Sequence, residues 1–203
     1  MTNIFGQSST VDIFYGNQFF TNNFYNQLNS LSAVDLNKPT KVFSIGVMEH
    51  LSTKSKNKDR LYSKLRFSAI QTNRVSINDT LNFDLNSYGF TYGFAYDIIG
   101  KRSDKTKKKL FYCLVDIGFG TGLTVLGNNN KYNQRNPYFS PKIGIQPSVR
   151  IKKIMISLVF EYMYDVSNGK WKKMRWGNKD IAPIDNFKQT NLLGQFCLSY
   201  CLN

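Results

Sequence analysis

The stretch from Tyr138 to Val166 alternates apolar and polar residues with a period of two across two long segments. Phe139, Pro141, Ile143, Ile145, Pro147, Val149 and Ile151 are apolar, and Ser140, Lys142, Gly144, Gln146, Ser148 and Arg150 stand between them. After Lys152-Lys153 the pattern resumes, with Ile154, Ile156, Leu158, Phe160, Tyr162, Tyr164 and Val166 against Ser157, Glu161 and Asp165. Such a period dictates β-strands with one oily and one polar side. Strands in soluble proteins usually run about 5–6 residues. These are longer, and they match the roughly 9–11 residues that a tilted strand needs to cross a bilayer.

Composition narrows the choice less than the pattern does. No run of about 18 apolar residues occurs, so a transmembrane helix is excluded. A mean hydropathy of −0.36 and a hydrophobic fraction of 41% do not separate a soluble β-protein from a membrane barrel, whose strands are only half apolar. The 16 Phe and 12 Tyr suit the aromatic girdles of such barrels, although both residues are also good strand formers. The net charge of +14 comes from lysines clustered in the links between strands. This favours an anionic membrane surface or an acidic partner. Nucleic acid is not an expected partner, because the lysines form no groove interleaved with aromatics. Cys197 and Cys201 lie on one strand about 13 Å apart at strand rise, too far for a disulfide. Cys113, Cys197 and Cys201 show no metal-ligand spacing, and no cofactor is expected.

The remaining strands follow from the same alternation. Val11–Phe19, Thr40–Leu51, Arg60–Thr72, Ser87–Ile99, Lys109–Val125 and Thr190–Leu202 join the first two segments to give about eight. Leu81, Phe83 and Leu85 reverse the parity of Tyr88 to Ile98, which predicts a bulge or a separate short hairpin over residues 73–86. Phe24, Leu28 and Leu31 have a spacing compatible with a short helix in the first outer loop, stopped by Pro39. Ser167–Lys188, polar and carrying both tryptophans, reads as a long outer loop.

The even number of long amphipathic strands and the aromatic-bearing final strand resemble the small bacterial outer-membrane barrels of the OmpA/OmpW-like class. The resemblance spans the whole chain and rests on pattern and length rather than on a motif, and the last residue is Asn203 instead of an aromatic. It implies a single domain over residues 1–203, an all-β antiparallel up-and-down transmembrane barrel, residence in the bacterial outer membrane and a C-terminus on the periplasmic side. Met1 to Gly6 has no basic segment followed by an apolar one, so the resemblance expects a secretion signal absent from this numbering.

The polar parity is rich in glycine and carries both charge signs, which suits a narrow lumen packed by side chains better than a solvated outer surface, where glycine only weakens a strand. Charges in such a lumen must pair. Counting back from the tight turn places Lys142 opposite Glu161 as a lumenal ion pair. Lys64 and Arg66 are further lumenal candidates, with Glu49 or Asp97 as partners. At the outer loop, Lys170, Trp171, Lys172, Lys173, Arg175 and Trp176 are candidates for contact with membrane lipid, lipopolysaccharide phosphates included, or with another protein. Lipid-remodelling chemistry is not expected: His50 is the single histidine, it falls at the inner end of its strand, and no GxSxG nucleophile elbow occurs. GFGTG at Gly118–Gly122 follows the alternation of its strand and is no nucleotide loop. The expected function is a non-enzymatic structural or accessory subunit of a larger envelope complex, with other outer-membrane or periplasmic proteins as partners. A narrow-pore or small-ligand-binding barrel and a soluble lipocalin-like carrier are the alternatives.

Overall fold

The computed structural model describes residues 9–20, 40–51, 60–71, 75–78, 81–99, 110–128, 132–167, 172–173 and 190–202. These residues form β1 (Ser9–Phe20), β2 (Thr40–His50), β3 (Leu61–Gln71), β4 (Val75–Asn78), β5 (Leu81–Asp97), β6 (Phe111–Asn128), β7 (Tyr132–Ile151), β8 (Ile154–Met163), β9 (Lys172–Lys173) and β10 (Asn191–Cys201). Each long strand pairs antiparallel with its neighbours in the order β3-β2-β1-β10-β8-β7-β6-β5, and β3 pairs β5. The sheet therefore closes on itself as an eight-stranded barrel. β4 and β9 are short additions at one end, on β5 and β7. The segment expected as a helix, residues 22–34, lies outside the described residues.

Register fixes the shape of the barrel. Paired residues run from Ile154 through Tyr200, Val11, Val47, Leu65, Tyr92 and Phe119 to Pro141. Pro141 then accepts a hydrogen bond from the amide of Tyr164, so one circuit climbs from Ile154, at the start of β8, to Tyr164, just past its end. That offset between strands is what tilts them, by about 35–45° to the axis. Residues 73–86 contain both features expected of them. β4 forms a short hairpin with the start of β5, and its register shifts between Ser76 and Asn78.

The apolar parity faces outward on every long strand. Phe90, Ile117, Ile143, Leu158, Phe196 and Ile13 are among the exposed residues of the wall. The polar parity is buried inside: Ser44, Asp116, Ser140, Gln146, Ser157 and Glu161 are all nearly inaccessible. A soluble carrier needs the opposite arrangement, with oil inside and polar groups outside. Glycine lets inner side chains fit. Gly89 and Gly122 pair across β5 and β6, and a Cβ on either would overlap the hydroxyl of Tyr138.

β7 and β8 are joined by a two-residue turn, Lys152-Lys153, closed by the Ile151–Ile154 pair. Lys152 has φ 56°, a left-handed conformation that glycine adopts without steric cost and other L-residues do not. Lys152→Gly should therefore stabilise the barrel by about 1 kcal/mol. Urea unfolding of the refolded protein in detergent micelles measures this, and an unchanged or lowered midpoint refutes the assignment of strain.

Candidate functional site: a lumenal ion-pair network

The barrel interior is layered. Near the turn end, Met48, Tyr62, Ala95, Leu114 and Met155 pack together, with Tyr112 against them. Toward the far end a second apolar group contains Val42, Ile70 and Leu193. Between them, beside the buried carboxylate of Asp12 on β1, lie five ion-paired residues contributed by four other strands. Lys64 and Arg66 come from β3, Asp116 from β6, Lys142 from β7 and Glu161 from β8.

Lys142 bridges both acids, its Nζ 2.8 Å from Asp116 Oδ1 and 2.8 Å from Glu161 Oε1. Lys64 Nζ lies 3.0 Å from Asp116 Oδ2, and the Arg66 guanidinium donates to the Glu161 carboxylate. Neutral amides extend the network. Lys64 donates to Gln146 Oε1 at 2.8 Å, and Gln146 donates to the Ser157 hydroxyl at 3.1 Å. Arg66 donates to Gln195 Oε1 at 3.1 Å, and its guanidinium carbon lies 5.1 Å from the centre of the Phe14 ring. Gln195 in turn reaches Ser44, whose hydroxyl donates to Ser68 at 2.9 Å. The side chains of Asp116 and Glu161 are 0% accessible, so each carboxylate depends on these partners for what water would otherwise supply.

Several expectations are corrected here. Lys142 and Glu161 do meet, but not as directly opposed residues: Lys142 stands opposite Met163, and Gly144 opposite Glu161. The contact is diagonal, within reach of long side chains. It needs Gly144, where a Cβ would crowd Glu161 Cγ at 2.8 Å. Lys64 and Arg66 are lumenal, yet neither meets Glu49 or Asp97. Their partners, Asp116 and Glu161, lie across the lumen on strands that do not neighbour β3. Glu49 is not lumenal at all; it is exposed on the outer parity of β2. Asp97 is buried at the turn end, where it accepts from the amides of Ile99 and Cys113 at 3.3 and 3.2 Å. His50, at the turn end of β2, is buried as well, edge-on to Tyr62 with ring centres 5.3 Å apart.

Of the outer-loop candidates, Lys172 and Lys173 form β9, paired with Arg135 and Gln134. Lys170, Trp171, Arg175 and Trp176 lie outside the described residues. Asp116 is the member of the network that sequence reasoning left without a role. Its lumenal parity was legible; its distance from Lys64 across a closed barrel was not. Cys113, Cys197 and Cys201 are free thiols. Among the described residues no group of His, Cys, Asp and Glu is arranged to hold a metal ion.

The architecture has counterparts among solved structures. A major outer membrane protein from Thermus thermophilus superimposes with a TM-score of 0.58 at 7% identity, covering 96% of this chain and 99% of that one. Neisserial surface protein A (NspA) gives a TM-score of 0.51 at 10% identity, covering 96% of each chain. No family model matches the sequence, and no curated protein does. At these identities the likeness is one of fold: the chain has the fold of the small eight-stranded outer-membrane β-barrels.

Removing one member of the network should expose its energetic role. Glu161→Gln leaves Arg66 and Lys142 buried without that carboxylate, and breaking such a pair costs about 3–5 kcal/mol. The expected result is a lower urea midpoint in micelles, with the heat-modifiable gel shift retained where the barrel still forms. An unchanged midpoint would show that the ion pairs contribute nothing net.

Proposed function

We propose that this chain is a non-enzymatic integral outer-membrane barrel that serves as a structural or accessory subunit of a larger cell-envelope complex. The observation that carries the reading is the filled lumen. A barrel whose middle is occupied by Lys64, Arg66, Asp116, Lys142, Glu161 and their amide partners offers only its wall, rims and outer strands for work. The outward apolar parity and the fold support residence in the outer membrane.

The rims add candidate lipid contacts at the turn end. Arg60 donates to the Tyr96 hydroxyl at 3.1 Å and lies 5.9 Å from its ring centre; Lys153 lies 5.9 Å from that of Tyr200. Cations held over interfacial tyrosines suit headgroup phosphates. The C-terminal strand ends on this side, which the proposed orientation places in the periplasm.

A narrow pore is the second reading, since small cavities flank the network. One is lined by Met48, Tyr62, Leu114, Arg150 and Met155, the other by Val42, Arg66, Ile70, Tyr138 and Leu193. Extraction of washed envelopes, mild-detergent pull-down and planar-bilayer recording separate the two. The subunit reading expects a detergent-requiring protein recovered at a discrete complex mass, with no unitary conductance. Steady conductance by the isolated barrel and recovery only as a monomer would favour the pore.

A further inference from the structure

The apolar wall is not equally tall around the barrel. On β8 and the residues after it that still bond to β7, every outward residue from Ile154 to Val166 is apolar, and on β6 the outward run from Phe111 to Leu123 is broken only by Thr121. Twelve residues of tilted strand span about 28 Å along the axis, enough for the roughly 25 Å apolar band of such barrels. β2 is different. Its outward residues are Lys41, Phe43, Ile45, Val47 and Glu49. The apolar stretch from Phe43 to Val47 rises only about 9–10 Å, and Lys41 and Glu49 themselves stand about 19 Å apart.

The neighbouring strands reinforce the shortfall at the paired positions. Glu49 pairs with Ser9 on β1 and Ser63 on β3. Lys41 pairs with Asn17 on β1, and its partner position on β3 is Gln71. Two polar rows therefore bracket three apolar ones: Val11–Val47–Leu65, Ile13–Ile45–Phe67 and Tyr15–Phe43–Ala69. Lipid chains that fit β6 and β8 would lie against charge on this side.

We infer that the β1–β2–β3 face is the surface by which the barrel docks a second, different membrane-spanning protein. The inference rests on the accessory-subunit reading and assigns its contact. The partner fits three apolar rows, with a cation or hydrogen-bond donor opposite Glu49 and an acceptor opposite Lys41. A second copy of this chain fits poorly. Copies in one membrane share an orientation, so a two-fold axis along its normal sets Glu49 beside Glu49 and Lys41 beside Lys41.

The test uses the full chain in its native envelope, with p-benzoylphenylalanine replacing Ile45 on this face or Leu158 on β8. The expected result is a protein adduct of one discrete mass at Ile45 and lipid adducts at Leu158. Glu49→Lys should reduce the Ile45 adduct at least tenfold while leaving the heat-modifiable shift of the barrel intact. Lipid adducts alone at Ile45, with a complex still recovered by pull-down, would overturn this face and spare the subunit reading. The same adducts with no complex recovered would overturn both. An Ile45 adduct at twice the barrel mass would show a second copy instead, and one indifferent to Glu49→Lys would remove the charge pairing.

Discussion

Closure of the sheet between β1 and β10 is the constraint from which the rest of this structure follows. In hydrocarbon a backbone N–H or C=O has no water to bond, so an open sheet edge is not tolerated there. The first and last strands pair from Thr10–Cys201 to Phe20–Asn191, and the amide of Leu202 donates to the carbonyl of Ser9. With no edge left, each strand must divide its side chains between lipid and lumen. The period of two then decides which residue goes where.

That division also explains the interior. Eight strands leave no room for a solvated channel beside large side chains, so charges sharing the lumen have to satisfy one another. Three cations and two carboxylates form one connected group, with Gln146 accepting a further bond from Lys64 and Gln195 one from Arg66. The network ties β3, β6, β7 and β8 across the lumen, where backbone pairing cannot reach. It is a cross-brace as well as a plug.

Much of the fold was legible because burial repeats every two residues and turns carry their own chemistry. The strand bodies, their facing and the Lys152-Lys153 turn all come from local pattern. The partners of Lys64 and Arg66 were not legible for a geometric reason. Parity tells that Asp116 and Glu161 share the lumen, but only the offset between strands tells which side chains reach the same height. Glu49 shows the complementary error. Its charge suggested the lumen, whereas the alternation through Phe43, Ile45 and Val47 places it on the wall. Parity was the better guide, and the exception it created is what marks that face.

The prolines of β7 show how closely lumen and wall depend on each other. Pro137, Pro141 and Pro147 all have the outward parity, and the carbonyls of Phe139 and Pro141 accept from Val166 and Tyr164 on the β8 side. In an antiparallel strand the nitrogen of a residue faces the same neighbour as its carbonyl. All three prolines therefore withhold an N–H from one seam, and the β7–β8 pairing is interrupted between Ile145–Phe160 and Ser148–Ser157. Side chains span the seam from within at the affected levels. Lys142 reaches Glu161 beside Pro141, and Gln146 donates to Ser157 beside Pro147. A seam short of ladder bonds is held by charge-assisted bonds inside and by the two-residue turn below. The polar lumen thus stabilises the wall where its backbone pairing is thinnest. On the opposite side β1, β2 and β3 pair without interruption from Ser9–Glu49 to Gln18–Thr40 and from Lys41–Gln71 to His50–Tyr62. The face with the shortest apolar wall is therefore backed by an unbroken ladder, and a rigid backing is what a docking surface requires.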